Sequence, residues 1–273
     1  MPCCYDGLTA KLVEEAGFDV TFMTGFGTSA VHGLPDTGLI SMEEMTRNAG
    51  IINGCLQHIP MIGDGDTGWG NEVNVKRTVA RYAQSGCAGI MIEDQLSPKR
   101  CGHTSGKQIV NRDEAYRRVR AAVDARNEGL DIVILARTDA RGILGIDEAI
   151  ERCRVFRALG ADMTFLEAPE SVQEMELYCN SVSGPKLANM LEGGKTPILP
   201  PKDLEAMGYS LAAYPLTLLS ASAKAMKDAL QLLKTGQRTD DLLLPFKELQ
   251  QVVGFDTYDA TLQSYSTSTE TNP

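Results

Sequence analysis

Residues 84–93 read QSGCAGIMIE, and this stretch carries the pattern from which the fold can be predicted. A polar helical end stops at Gly86, and a short apolar run follows that ends at Glu93. Glycine after the last turn of a helix supplies the left-handed conformation that other residues resist. An apolar run of this length is typical of a strand that is buried on both faces. The stretch therefore predicts a helix, a tight turn and a buried strand with a polar end.

The same arrangement occurs three more times, with EAG before DVTFMT, ALG before DMTFLE and AMG before YSLAAY. Four further strand candidates lie at residues 1–4, 60–64, 132–136 and 186–190, and amphipathic helical segments separate the strands. Eight alternating units predict an α/β fold, a (β/α)8 TIM-type barrel with a C-terminal helical extension. A doubly wound open sheet is the alternative, although no G-x-G-x-x-G follows the first strand.

Composition limits the class of protein. The 273 residues carry 26 Lys+Arg and 36 Asp+Glu, a net charge of −10, so nucleic-acid binding is not expected. The uncharged stretch 206–223 contains Gly, Pro, Ser and Thr, so we expect a buried strand and the start of a helix there, not a membrane span. Seven scattered cysteines without a C-x-x-C pair argue against a disulfide framework and a zinc ribbon. With no signal peptide recognised, we expect a reducing compartment, the cytoplasm or the mitochondrial matrix, and not secretion. Residues 1–263 are predicted to form one barrel domain with C-terminal helices, and residues 264–273 a disordered tail.

Polar residues gather where the predicted strands end, which is the end of a barrel that carries its chemistry. A single Asp after a strand is commonly a turn or cap residue, but several carboxylates converging at one rim would repel each other unless a cation joined them. A hard divalent ion such as Mg²⁺ fits this set. Asp64 and Asp66 would share a face if the strand continued through both. Arg137 has the planar fork that binds a substrate carboxylate.

The segment KRCGHTSGK, residues 99–107, is the sharpest local feature, and we call it the lid segment. Basic neighbours on both sides of Cys101 favour its thiolate, and such a thiol can act as a nucleophile or as an acid/base. The glycines at 102 and 106 would let the segment close as a lid. An exposed basic loop with an incidental cysteine is the other interpretation. Cysteine-protease and zinc chemistry fit the spacing of Cys101 and His103 poorly.

Ten strings occur in order along the chain: YDGLTA, TGFGTSA, GLPDTG, DGDTGWG, IEDQ, KRCGHTSGK, ARTDA, FLEAP, NMLEGGKTP and AYPLT. Together they resemble the isocitrate lyase/phosphoenolpyruvate mutase superfamily. The resemblance implies a barrel, a Mg²⁺ or Mn²⁺ ion near DGD, a lid that bears the cysteine, and cleavage of a C–C bond in a small di- or tricarboxylate. It also implies a homodimer or homotetramer in which the last barrel helix is exchanged between subunits.

The resemblance also assigns roles. The implied metal residues are Asp66 as direct ligand, with Asp64, Asp36 and Glu93 binding directly or through water. Cys101 would donate a proton, and Arg137, Glu93 and His103 complete the catalytic set. Carboxylate and pocket contacts would come from the following residues: Thr24, Gly25, Phe26, Gly102, His103, Arg137, Glu167, Asn189 and Pro215.

Departures from the superfamily pattern narrow the choice of reaction. Cys101 argues against a phosphonomutase, and a length of 273 residues argues against the longer isocitrate lyases. The 2-methylisocitrate lyases, 2,3-dimethylmalate lyases and oxaloacetate hydrolases remain. Pro215 favours an alkylated substrate, because its ring is apolar and offers no hydroxyl to a hydrated oxaloacetate. An oxaloacetate hydrolase that releases oxalate and acetate is the alternative, and a non-catalytic binding member is a further one.

Overall fold

A computed structural model describes residues 1–103 and 106–266 of the chain. Its strands form one parallel sheet in which each strand pairs with the next along the chain. The eight strands are β1 (Cys3–Cys4), β2 (Thr21–Met23), β3 (Met61–Asp64), β4 (Gly89–Glu93), β5 (Val133–Thr138), β6 (Met163–Leu166), β7 (Lys186–Asn189) and β8 (Leu211–Ala213).

The sheet closes on itself between its last and first strands. Pro2 forms a parallel bridge with Tyr214, just beyond β8. The N–H of Cys3 donates to the carbonyl of Tyr214 at 3.2 Å, and the N–H of Tyr214 donates to the carbonyl of Met1 at 3.0 Å. These bonds satisfy backbone groups that an open sheet would leave at its edges. The predicted (β/α)8 barrel is therefore confirmed, and the open doubly wound sheet is wrong.

Helices connect the strands. They are α1 (Gly7–Glu15), α2 (Gly25–Val31), α3 (Met42–Cys55), α4 (Glu72–Gln84), α5 (Arg112–Asn127), α6 (Arg141–Leu144), α7 (Ile146–Ala158), α8 (Val172–Ser181), α9 (Pro201–Met207), α10 (Thr217–Lys234), α11 (Phe246–Val253) and α12 (Phe255–Ser266), with a 3₁₀ turn at Asp240–Leu242. The four glycines predicted to end helices before strands all have positive φ, between 79° and 110°: Gly17, Gly86, Gly160 and Gly208. Those turns were recognised correctly from the sequence.

Apolar side chains of the strands fill the inside of the barrel. This inner layer includes Phe22, Ile62, Leu135 and Phe165, all buried. A second layer lies between strands and helices, where α4 buries the stripe that its spacing predicts: Val75, Thr78, Val79 and Tyr82. Because both layers are tightly buried, the polar ends of the strands are held in fixed positions at one rim.

The chain divides into two compact units, Met1–Leu219 and Ser220–Pro273, and α10 crosses the boundary in sequence. Among the described residues of α10, α11 and α12, none is buried. Ser264 to Ser266, predicted to begin a disordered tail, form the last residues of α12, which corrects that boundary. The remainder of the predicted tail lies outside the described residues. No described helix has both the length and the apolar character that crossing a membrane requires.

Candidate active site

One cleft at the carboxyl ends of the strands brings together most of the predicted site. It has a volume of about 640 Å³, part of which is open to solvent. Two of the fourteen predicted residues, Gly25 and Asp66, do not line it directly. The twelve that do are Thr24, Phe26, Asp36, Asp64, Glu93, Cys101, Gly102, His103, Arg137, Glu167, Asn189 and Pro215.

Asp36, Asp64, Asp66 and Glu93 form what we call the acidic cluster. The Asp64 carboxylate accepts the N–H of Gly25 at 3.1 Å through Oδ2 and the N–H of Asp66 at 3.1 Å through Oδ1. β3 ends at Asp64, and Asp66 has a positive φ of 45°. The two aspartates are therefore neighbours because the chain turns around the Asp64 carboxylate, and the predicted alternation along a continuous strand is wrong.

The Lys99 ammonium enters the acidic cluster from the lid segment. It forms an ion pair with Asp36, lies 2.9 Å from Oδ1 of Asp66, and only 5% of the residue is exposed. Burial raises the pKa of Asp66 to about 7, against the opposing charge of Lys99 and with the help of Asp64 and Asp36. The carboxyl groups of the acidic cluster therefore outnumber the one lysine that faces them.

The donor chemistry of the acidic cluster fits a hard divalent cation. Within residues 1–103 and 106–266, no three His, Cys, Asp or Glu side chains are arranged to hold a metal ion by themselves. Mg²⁺ commonly binds through one or two carboxylates and keeps several waters, so such an arrangement is not required. In addition, Oε1 of Glu93 is buried without a hydrogen-bond partner among the described residues, as a group awaiting a ligand or water would be.

Arg137 projects from β5 into the same cleft. Asp139 holds its guanidinium with two bonds, from Nε to Oδ2 at 2.8 Å and from Nη2 to Oδ1 at 3.1 Å. Oε2 of Glu93 lies 3.3 Å from Nε, and Oε2 of Glu167 lies 3.3 Å from Nη2. The guanidinium also stacks 5.1 Å from the ring centre of Phe165. Burial alone would lower the pKa of Arg137, but these carboxylates outweigh it, and the arginine is fixed as a cation.

His103 is anchored at both ring nitrogens. Nδ1 accepts the backbone N–H of Lys195 at 3.1 Å, so the ring proton is on Nε2, which lies 2.8 Å from Oε1 of Glu167. Asn189 contacts the same Nε2 at 3.3 Å. Burial alone would raise the pKa of Glu167, but Arg137 and His103 outweigh it and the pKa lies below its usual value. Arg137 and His103 are therefore held in fixed positions, where they could donate to a carboxylate ligand.

Cys101 lines the same cleft. Burial raises its pKa above 9.0, although a hydrogen bond from the backbone of His103 opposes the shift. The expected stabilisation of the thiolate by basic neighbours is therefore wrong. Lys99 points away into the acidic cluster, and Arg100 is exposed. The site holds Cys101 as a protonated thiol, which suits a proton donor rather than a nucleophile.

The remaining predicted residues form the walls. Thr24 caps α2, with Oγ1 accepting the N–H of Gly27 at 3.4 Å, and this places Phe26 at the cleft. Pro215 and Leu216 form an apolar wall after β8. Thr104 and Ser105 of the lid segment lie outside the described residues.

Three charged groups of the site are not predicted from the sequence: Lys99 as a partner of the acidic cluster, Asp139 as the partner of Arg137, and Lys107 as the partner of Asp139. Asp139 had a signal, since it ends the polar string ARTD after β5. The two lysines had none, because their partners are distant in sequence.

Known proteins resemble this chain over most of its length. The family model described as Phosphoenolpyruvate phosphomutase matches residues 1–234. A 2,3-dimethylmalate lyase from Eubacterium barkeri is 43% identical over 270 residues, which are 97% of this chain and 93% of that protein. A probable 2-methylisocitrate lyase 2 from Corynebacterium glutamicum is 39% identical over 263 residues, 95% of this chain and 85% of that protein.

Solved structures agree with these matches. Oxaloacetate acetylhydrolase in complex with the inhibitor 3,3-difluorooxalacetate superposes with a TM-score of 0.91 at 36% identity, covering 99% of this chain and 92% of that one. A phosphonopyruvate hydrolase complex with oxalate and Mg²⁺ gives a TM-score of 0.85 at 27% identity, covering 97% and 93%. The resemblance found in the sequence is confirmed, and the chain belongs to the phosphoenolpyruvate phosphomutase family within the isocitrate lyase/phosphoenolpyruvate mutase superfamily.

Proposed function

We propose that the protein is a Mg²⁺-dependent C–C lyase that cleaves an alkylated 2-hydroxy di- or tricarboxylate, of the 2,3-dimethylmalate or 2-methylisocitrate type. One observation carries the proposal: Cys101, whose pKa is raised by burial, shares one cleft with the acidic cluster and with the guanidinium of Arg137. The names of the relatives from Eubacterium barkeri and Corynebacterium glutamicum support the same reaction class.

In this proposal Asp66 would hold the metal ion, and Asp64, Asp36 and Glu93 would contribute directly or through water. When bound, Mg²⁺ or Mn²⁺ would supply a Lewis acid for the hydroxyl and carboxylate oxygens of the substrate. The Mg²⁺ in the structure of the phosphonopyruvate hydrolase supports the choice of a divalent metal. A soluble chelator should therefore remove activity.

The side chains of the cleft account for binding and for the proton balance. Arg137, His103 and the backbone at Thr24 to Phe26 and at Gly102 bind carboxylates. A carboxylate of the acidic cluster accepts the hydroxyl proton, the C–C bond breaks, and the new carbonyl forms on one fragment. The other fragment leaves as an enediolate carbanion, which takes its proton from the Cys101 thiol. The thiol regains a proton after release, so no redox partner is needed, but Cys101 must stay reduced and a reducing compartment follows.

Pro215 is the basis for choosing an alkylated substrate. Its ring and Leu216 give an apolar wall, against which an alkyl group gains burial and a hydrated carbonyl gains no hydrogen bond. The similarity to oxaloacetate acetylhydrolase favours the second candidate, hydrolysis of oxaloacetate to oxalate and acetate. Analysis of the reaction products distinguishes the two reactions.

The test is a substrate panel with Mg²⁺: 2-methylisocitrate, 2,3-dimethylmalate, oxaloacetate and isocitrate, with pyruvate, glyoxylate and oxalate measured as products. We expect pyruvate from one of the first two substrates. Cys101→Ser should remove turnover while leaving oxalate binding intact, and Pro215→Ser should lower turnover of the alkylated substrate. Oxalate as the main product would establish the second candidate, and no product from any substrate would favour the non-catalytic binding member.

A further inference from the structure

We propose that Lys107 is a positioning residue for substrate binding and that it acts on Arg137 through Asp139. The inference rests on the proposed function, because it takes Arg137 as the group that binds a substrate carboxylate. Nζ of Lys107 lies 2.8 Å from Oδ1 of Asp139, and the same oxygen accepts Nη2 of Arg137 at 3.1 Å. One carboxylate thus joins the end of the lid segment to the arginine.

The burial of this pair argues that its charge matters. Asp139 is fully buried, and only 7% of the Lys107 side chain is exposed. Removing an ammonium group from water is costly, and a buried ion pair is a weak way to stabilise a fold. An apolar side chain would pin the loop as well, so simple anchoring does not explain a lysine at this position.

The charges around Arg137 explain why position 107 carries a lysine. The guanidinium of Arg137 touches three carboxylates, those of Asp139, Glu93 and Glu167. Asp139 and Glu167 both contact Nη2, and their two negative charges exceed the single charge of the guanidinium by one, which repels an incoming carboxylate. The ammonium group of Lys107 offsets that excess and so removes the repulsion. Within the described residues, none of the hydrogen bonds and ion pairs of Arg137 uses Nη1, which remains for a ligand.

Lys107 supplies charge without being needed to locate Asp139. The backbone N–H of Asp139 donates to Oδ1 of Asp94 at 2.9 Å, and Asp94 is held in turn by Thr138 at 2.6 Å and Arg152 at 2.9 Å. We therefore expect Asp139 to keep its place when Lys107 is replaced. The effect of replacing Lys107 is expected on ligand affinity rather than on the fold.

The experiment compares Lys107→Gln, Lys107→Arg and the wild-type enzyme in the presence of Mg²⁺. Oxalate affinity is measured by calorimetry, and KM and kcat are measured with the substrate that the panel identifies. Lys186→Gln is the matched control: Lys186 is 4% exposed and donates to the carbonyl of Gly184 at 2.8 Å, at the start of β7 and away from the cleft.

We expect Lys107→Gln to raise the oxalate Kd and the KM about tenfold while kcat changes less than about threefold. Lys107→Arg should restore most of the affinity because it keeps the positive charge, and Lys186→Gln should leave the affinity unchanged. Equal oxalate affinity in the wild type and Lys107→Gln overturns the inference, as does an arginine variant that is as weak as the glutamine variant. A wild type that binds oxalate but turns over no substrate contradicts the proposed function alone. A wild type that binds no oxalate removes the premise and overturns both.

Discussion

A Cβ atom on Gly102 would lie only 2.5 Å from Nη2 of Arg137, and 2.8 Å from Cδ of Glu167. The lid segment therefore passes directly over the arginine and its carboxylate partner, at a distance that only glycine permits. This contact places the thiol of the preceding residue, Cys101, in the cleft. It makes the glycine between Cys101 and His103 a requirement of the site.

Gly102→Ala should lower kcat/KM by about 10²-fold, because either Arg137 or the lid segment must move by a substantial part of an ångström. Gly50→Ala is the control. Gly50 lies inside α3 and an added Cβ there would have no atom within 4 Å, so this change should stabilise the helix by about 0.5–1 kcal/mol. Steady-state kinetics and thermal unfolding of both variants check the expectation. Normal kinetics in Gly102→Ala would show that the close contact is dispensable.

The fold could be predicted because its signals are local. Each unit is recognised within about ten residues, as at Gly86, from a glycine after a helical turn and the apolar run that follows it. Repetition of that unit then predicts a closed barrel. Polar strand ends could likewise be assigned to one rim. The order of units then determines which residues meet.

The electrostatics of the site could not be predicted in the same way, because they depend on burial and on partners distant in sequence. The local charges around Cys101 predict a lowered pKa, yet burial dominates and reverses the sign. The partners of Lys99 are 63 and 33 positions away, at Asp36 and Asp66, and nothing in the lid segment identifies them. Tertiary packing decides these interactions.

The raised pKa of Cys101 predicts its reactivity with pH. Since burial favours the neutral thiol, the thiolate fraction should stay low until the pH passes 9.0, and the rate of alkylation by iodoacetamide should have its midpoint above that value. Peptide mapping by mass spectrometry follows Cys101 separately from the other six thiols. N-acetylcysteine provides the unburied reference. A midpoint below that of N-acetylcysteine would mean that the thiolate is stabilised and that the acid role is wrong.

Asp66→Asn should abolish Mg²⁺ binding, since the amide keeps the shape of the side chain but loses the charge that attracts the ion. Trp69, the only tryptophan, gives a direct signal: it follows Asp66 in the same loop, and its indole N–H donates to the carbonyl of Ile40 at 3.2 Å. We expect Mg²⁺ to change the tryptophan fluorescence of the wild type reversibly with EDTA. No change is expected in Asp66→Asn.

Asp131→Asn is the matched control for the metal experiment. Asp131 is exposed and lies before β5, at the opposite end of the barrel from the cleft, so its replacement should leave the Mg²⁺ titration unchanged. Turnover that persists in Asp66→Asn or in excess EDTA would contradict the metal-dependent scheme.

The apolar stripe of α10 predicts association between copies of the chain. Met226, Leu230 and Leu233 are 58%, 65% and 62% exposed in the single chain, although they are spaced as one face of a helix. Burying each leucine against a second copy contributes about 1.5–3 kcal/mol, and we propose a homodimer or homotetramer built through this face. Leu230→Glu combined with Leu233→Glu should therefore shift the mass in light scattering toward the monomer, because two carboxylates would be buried without partners. Lys224→Gln is the control. The Lys224 side chain is 76% exposed and pairs with Asp228 on the same helix, so this change should leave the mass unchanged. An unaltered mass in the double glutamate variant would show that this face is not part of the interface.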